Sequence, residues 1–354
     1  MADNDIHPFS SALETWYASH GRDLPWRGTH DPYRIWVSEI ILQQTRVAQG
    51  YDYFMRFMER FPTVERLAAA TEDDVLHAWQ GLGYYTRARN LHAAARAVVA
   101  QGGFPTDYAG VRALRGVGDY TAAAICSMAY GLPHAVVDGN VYRVLSRYFG
   151  LSTPIDTTSG RRAFADLAAS LLDRRRPGLY NQAVMDFGAL QCLPRAPQCG
   201  TCPLAPGCEA LRTGRVDELP VKARKTQVAE RFIAYIYIYI YVSGDVLLHR
   251  RPAGDIWAGL YEPLLVEFDH RPAESEVLAA APLVPFMPSR GVWRCVAQGV
   301  RHVLTHRVLL ADFYQLSLPS LDIVPEGFVR VPETRRGDYA VPRLVSLLYE
   351  RLGR

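Results

Sequence analysis

Leu114-Arg-Gly116-Val-Gly118-Asp-Tyr120-Thr-Ala122 is followed by Val136-Val-Asp138-Gly-Asn140-Val-Tyr-Arg143-Val144, whose aspartate stands eighteen residues after Tyr120. The first stretch places two glycines two apart, directly before an apolar helical pattern. Such a turn bares backbone N–H groups beside a helix N-terminus, an arrangement suited to a phosphate oxygen. In the second, Asp138 stands immediately before an amphipathic helix, where the ordinary use of an aspartate is to cap the first turn. A Gly-x-Gly turn alone reads equally well as a plain helix connection; the two segments together are more specific.

Around this pair the first two hundred residues read as helical. Residues 64–101 are Ala-rich with apolar positions at helical spacing (Leu67, Val75, Leu76, Trp79, Leu91, Ala95, Val98), broken at Gly81-Leu-Gly83 and Gly102-Gly-Phe-Pro105. Similar patterns cover residues 38–61, 120–130, 141–149 and 160–172. Residues 212–231 are polar and basic (Arg215, Lys222, Arg224, Lys225) with Pro220 among them, and read as a linker. Phe232-Ile-Ala-Tyr-Ile-Tyr-Ile-Tyr-Ile-Tyr241 is β-branched and aromatic, closes on Ser243-Gly-Asp and continues as Val246-Leu-Leu, which predicts a hairpin. Strands are expected at 264–268 and 308–315, and a helix at 342–352. The fold class is therefore multidomain: an all-α part and an α+β C-terminal part.

The chain has 354 residues, 49% of them hydrophobic and 21% charged, which excludes extensive disorder. Its net charge of +3 neither demands nor excludes a nucleic-acid partner, because steering depends on where charge sits. The N-terminal ten residues lack the apolar core of a secretory signal. The run at 232–242 is too short to span a bilayer, so no membrane partner is expected. A cytosolic, reducing location follows as the expectation.

Four of the six cysteines are local: Cys192-x6-Cys199-x2-Cys202-x5-Cys208, with prolines at 194, 197, 203 and 206 between them. Structural zinc usually takes two Cys-x2-Cys pairs across a longer insert. A single pair within a compact loop favours a [4Fe–4S] cluster, with zinc or free thiols as the alternatives. Cys126 and Cys295 read as small buried hydrophobes.

Taken in order, LRGVGDYTA, VVDGNVYRV and the cysteine loop resemble the helix-hairpin-helix DNA glycosylases of the endonuclease III superfamily, and within it the MutY-type adenine DNA glycosylases. The likeness extends to Leu24-Pro-Trp26-Arg27, Trp36-Val-Ser-Glu39-Ile-Ile-Leu42-Gln-Gln44-Thr45, Gly81-Leu-Gly-Tyr84-Tyr85 and Asn181-Gln182-Ala183. It implies a glycosylase domain over residues 1–211, made of a six-helix module at about 30–133 and an iron–sulfur module from 1–29 and 134–211. A linker at 212–230 and a Nudix-like domain at 231–354 would follow, the latter carried by Gly254-Asp-Ile-Trp-Ala-Gly259-Leu-Tyr-Glu-Pro263.

The implied reaction is hydrolysis of the N-glycosidic bond of adenine mispaired with 8-oxoguanine, or with guanine, in duplex DNA, with the adenine flipped into a pocket. Glu39 would protonate the base, and Asp138 would stabilise or attack the cationic sugar. Tyr120 and Asn140 would position that side of the sugar. Residues alone support the acid assignment, since Glu39 lies among Val37, Ile40, Ile41 and Leu42, surroundings that raise a carboxyl pKa. Trp26, Arg27, Leu42, Val47 and Gln182 would line the adenine pocket. Gln44 and Tyr84 would enter the base stack; Thr45, Gly116, Gly118, Arg46, Arg87, Arg89 and Arg143 are candidate phosphate contacts, the arginines fitting equally as solvated charges.

Superfamily members that also cut the backbone carry a lysine where Tyr120 stands, so a monofunctional enzyme with little lyase activity is expected. Leu304-Thr305-His306 takes the place of the family's Phe-Ser-His loop for 8-oxoguanine. After Gly259 only Glu262 and Glu267 occur, without the Glu-Glu pair a Nudix hydrolase needs, so the domain should bind and not hydrolyse. The alternatives are a bifunctional pyrimidine-lesion glycosylase/lyase, a non-catalytic DNA-binding or redox-sensing iron–sulfur protein, and a nucleotide pyrophosphohydrolase. Expected partners are limited to lesion-bearing duplex DNA, acted on by a monomer in the bacterial cytoplasm at the nucleoid.

Overall fold

The computed structural model describes residues 6–223, 229–287 and 291–353; Arg224 and Lys225 of the expected linker lie outside them. The chain divides into two compact units, Met1–Ala69 with Asn90–Lys225, and Ala70–Arg89 with Thr226–Arg354. Among the described residues no helix is long and apolar enough to cross a membrane.

The first unit is helical, with α1 (Pro8–His20), α2 (Pro32–Leu42), α3 (Val47–Arg60) and α4 (Val64–Ala69). After α5 (Glu72–Ala78), which belongs to the second unit, come α6 (Thr86–Ala100), α7 (Tyr108–Ala113) and α8 (Asp119–Tyr130). Then follow α9 (Gly139–Phe149), α10 (Thr158–Leu171), α11 (Pro177–Leu190) and the single turn α12 (Glu209–Arg212). Helix α8 is apolar on all sides, with residues 121–128 buried, and so forms the centre of the unit. It packs against α2, α7 and α11, while α9 lies between α11 and α12.

The turn from α7 to α8 requires glycine at 116 on two counts. Its φ is +82°, and a Cβ there would stand 2.8 Å from the Asn90 Cβ. Gly118 caps α8 without a side-chain bond, so the first N–H groups of the helix have no side-chain cap there. Asp138 caps α9 as the sequence predicts, accepting from Val141 N at 2.8 Å.

The second unit is one seven-stranded mixed sheet of β1 (Ala229–Ile240), β2 (Asp245–Arg250), β3 (Tyr261–Glu262), β4 (Leu264–Phe268), β5 (Val292–Val303), β6 (Arg307–Leu318) and β7 (Phe328–Pro332). The order is β3-β2-β1-β6-β5, with β4 on β1 and β7 on β2. The expected β1–β2 hairpin forms, with Tyr239 opposite Val246. Its partner on the other side, β6, runs parallel to β1 from Ala229↔Arg307 to Ile240↔Leu318. Parallel pairing explains why β1 is apolar without alternation: both of its faces are covered. Ile233, Tyr235 and Tyr237 meet α14 (Arg343–Arg351) through Leu344, Val345 and Leu348. Ala234, Ile236 and Ile238 meet Val277 of α13 (Glu274–Leu278) and Phe286. The hydroxyls of the two β1 tyrosines are satisfied, Tyr235 by Glu262 (2.7 Å) and Tyr237 by Glu333 (2.7 Å).

Cys126 is fully buried on α8, as expected. Cys295, expected in the core, is exposed instead. It lies on β5, the sheet-edge strand, which is exposed over much of its length.

Candidate active site and cysteine centre

The end of α2, the loop before it, the start of α3, the N-termini of α8 and α9, and α11 enclose a cavity of about 170 Å³. One water needs only ~10–15 Å³ of such space, so the cavity has room for a planar base. Its acid–base wall is Glu39, Tyr120, Asp138 and Asn140, and its other walls include Trp26, Arg27, Leu42, Val47 and Gln182. All nine residues expected for chemistry and base binding thus face one space. Thr45, Ser38, Arg22 and Met185 also face it; of these only Thr45 stands out in the sequence.

Glu39 is 7% exposed. Burial pushes its carboxyl from 4.5 up to about 7; the Tyr120 hydroxyl and Arg27 pull it down, and the Asp138 charge pushes it up. A carboxyl so placed is a proton donor near neutral pH. Burial also raises Asp138, but bonds from Val141 N and Asn140 favour its charged form. A helix N-terminus adds to that preference.

Asn140 is held in one orientation. Arg143, a donor only, bonds its Oδ1 at 2.8 Å, which directs Nδ2 to Asp138 at 2.9 Å. Arg143 further donates to the carbonyls of Cys192 (2.7 Å) and Gly188 (2.6 Å) and is 8% exposed. The guanidinium expected at a phosphate is thus buried and bonded within the protein as a brace between α9, α11 and the cysteine loop. Arg87 is likewise partly spent, lying over the rings of Trp79 and Tyr84 and donating to Gly83 O at 3.3 Å.

Gln44 and Tyr84 are exposed and left-handed, at φ +58° and +48°. Side chains rarely tolerate that region without a compensating role. In the second unit, residues 304–306 form the tip of the β5–β6 hairpin, closed by Leu304 N to Arg307 O at 2.7 Å. Thr305 and His306 are exposed there and Leu304 is half-buried. Glu262 is fully buried, taking Arg251 at 2.7 Å, and Glu267 pairs with Arg231.

All four clustered cysteines line a second cavity, walled by Val144, Phe187, Leu204 and Leu211. Among the described residues no three His, Cys, Asp or Glu side chains converge to hold a single ion. Four thiols lining one cavity make an all-sulfur donor set of the kind that suits an iron–sulfur centre or zinc. Burial and the neighbouring thiols push Cys202 up to about 11 and raise Cys199 as well, so a cationic centre would favour the ionised form of these two thiols. Arg147 donates to Cys192 Sγ at 3.4 Å and to the carbonyls of Leu193 (2.7 Å) and Val216 (2.9 Å), fixing this loop to α9.

A family profile described as "HhH-GPD superfamily base excision DNA repair protein" matches residues 37–168, and one described as "NUDIX domain" matches 236–351. An adenine DNA glycosylase of Buchnera aphidicola is 34% identical over 256 residues, covering 72% of each chain. One from Arabidopsis thaliana is 35% identical over 302 residues and 74% of this chain, which spans 48% of that longer protein. Among solved structures, a thermostable thymine-DNA glycosylase superimposes with a TM-score of 0.54 at 31% identity, over 58% of this chain and 95% of its own. The helical fold, the Nudix-type sheet and relatives of this similarity agree: the chain belongs to the adenine DNA glycosylase family of the helix-hairpin-helix superfamily.

Proposed function

We propose that this protein hydrolyses the N-glycosidic bond of adenine mispaired with 8-oxoguanine, or with guanine, in duplex DNA. The observation that carries the reading is one cavity bearing both a buried carboxyl pushed up to about 7 and a second carboxyl that caps a helix N-terminus, where bonds from Val141 N and Asn140 support its charged form against burial. The adenine is flipped into the cavity between Trp26, Leu42 and Val47, with Arg27 and Gln182 reaching its polar edge. Glu39 gives its proton to N7 as the C1′–N9 bond breaks and the bonding pair leaves with the base. Asp138, oriented by Asn140, faces the positive charge that develops on the sugar. Water then adds at C1′ and returns a proton to the Glu39 carboxylate. Tyr120 offers no amine for a Schiff base, so the abasic strand is left uncut.

Gln44 and Tyr84 fill the gap in the stack, and aromatic stacking contributes roughly 1–3 kcal/mol. Thr45, Gly116 and Gly118 meet the backbone, and Leu304, Thr305 and His306 read the 8-oxoguanine. Cys192, Cys199, Cys202 and Cys208 hold a [4Fe–4S] cluster, which when bound cross-links the loop that Arg147 already pins. The domain boundaries are 1–211, 212–230 and 231–354, and the enzyme acts as a monomer in the cytoplasm at the nucleoid.

Single-turnover cleavage of an 8-oxoguanine:adenine duplex, with and without alkali, tests the reading. Strand breaks are expected only after alkali and should disappear in Asp138→Asn, because asparagine keeps the helix cap and removes only the charge. Breaks without alkali, or an active Asp138→Asn, would contradict it.

A further inference from the structure

Asp186 on α11 is fully buried and does not itself line the cavity. Its two oxygens are shared by two guanidinium groups. Arg27 bonds them through Nη1 at 2.5 Å and Nη2 at 2.6 Å, and Arg22 donates through N and Nε at 3.0 Å each. Arg27 also donates to the Arg22 carbonyl at 3.0 Å and lies over the Tyr17 ring. Both arginines reach the cavity wall. An unpaired guanidinium there would draw Glu39 toward its carboxylate form and remove the proton the reaction uses.

We infer that Asp186 is a positioning residue for the glycosidic cleavage: it fixes the Arg27 fork at the cavity wall and cancels that arginine's charge toward Glu39. This rests on the proposed function for its purpose, but not for its physics. The charged and titratable groups that face Glu39 are Arg27 and Arg22 from the segment between α1 and α2, Tyr120 from α8 and Asp138 at the start of α9. Among the described residues, Asp186 is the carboxylate bonded to the cations of that set. Burial works against its charge, yet the two arginines hold its carboxyl below the ordinary carboxylate range. It is therefore ionised whenever Glu39 titrates. A fork held bidentately also has one orientation, which gives the wall a fixed donor geometry for a base edge.

The test follows the infrared carbonyl band of protonated Glu39, assigned by its loss in Glu39→Gln, across pH in the whole protein. In Asp186→Asn its midpoint should fall by about one pH unit, and the alkaline limb of single-turnover excision should fall with it. Asp186→Glu, which keeps the charge, should titrate like wild type. Arg27→Gln alone should raise the midpoint, and Asp186→Asn/Arg27→Gln should bring it back. A folded Asp186→Asn with an unmoved midpoint overturns the inference. If that variant does not fold, a double variant titrating with Arg27→Gln overturns it instead. The band needs no turnover, so a wild type that fails to excise adenine refutes the functional reading and leaves this inference to be decided by the titration.

Discussion

The phenolic oxygen of Tyr84 hydrogen-bonds the hydroxyl of Thr305 at the tip of the β5–β6 hairpin. Tyr84 belongs to the short segment that is part of the second unit. That segment is tied to the sheet at further points: Arg250 meets Glu72 at 2.9 Å and Asp73 at 3.0 Å, and His77 reaches Gly337 O at 3.0 Å. In the proposed function one of the two hydroxyls enters the stack and the other reads the opposite base, so the two acts are coupled. Tyr84→Phe and Thr305→Val should each lower the ratio of excision opposite 8-oxoguanine to excision opposite guanine. The double variant should lose less than the two losses together by about 1 kcal/mol, the worth of one hydrogen bond. Thr305→Ser keeps the hydroxyl and should keep the ratio. Strictly additive losses would show that the hydroxyls act independently.

Glu39 should make the protein less stable than it need be. Its folded carboxyl sits at about 7 against an ordinary 4.5, so the native state binds more protons than the unfolded one between those values. Stability contributed by the protonated form is complete below about 4.5 and is lost as pH rises to about 7. Glutamine carries no such dependence. Glu39→Gln should therefore melt higher than wild type at pH 7, by an amount on the order of 3 kcal/mol, with the gap closing toward pH 5. A melting difference independent of pH would place the stabilisation elsewhere. The same variant should show no adenine excision, the expected cost of a desolvated acid.

Much of this site is legible in the sequence because its chemistry comes in short motifs beside helix ends. Glu39 is readable from the apolar run around it, and Asp138 from its position before an amphipathic helix. Asp186 is not, since a carboxylate in Met-Asp-Phe-Gly has no local sign that two arginines from residues 22–27 converge on it. The bracing bonds of Arg143 are hidden for the same reason: its partners come from α11 and the cysteine loop, far along the chain. In the sheet, apolarity on both faces of β1 announces burial but not direction. The parallel partner β6 lies 78 residues downstream (Ala229↔Arg307), beyond the reach of any turn signal.

The cysteine loop should carry colour. If the four sulfurs hold an iron–sulfur centre, anaerobically purified protein should show a broad visible absorbance with equal iron and acid-labile sulfide. Cys202→Ser should lose both and melt at lower temperature, because the centre would cross-link a loop otherwise tied to α9 by the Arg143 and Arg147 hydrogen bonds. Colourless protein with stoichiometric zinc would reject the cluster, and a fully stable, metal-free variant would reject a structural role.

The sharpest steric prediction concerns Gly188 on α11. A Cβ there would lie 2.6 Å from the Asn140 Cβ and 3.0 Å from its carbonyl oxygen, atoms of the turn that carries Asp138. The neighbouring atoms are largely backbone and cannot swing aside. Gly188→Ala must push the start of α9 away from α11, dragging Asn140 off Asp138 and straining the Arg143 bonds to Asn140 and to the Gly188 carbonyl. Overpacking of this kind costs typically 1–3 kcal/mol, to be read from a denaturant melt. Excision should fall by more than stability does, because a displacement of a few tenths of an ångström at Asp138 moves the charge that faces the sugar. Gly188→Ala with normal single-turnover rates and a lowered melt would mean that α9 absorbs the shift away from its first turn, and that Asn140 does not set the position of Asp138.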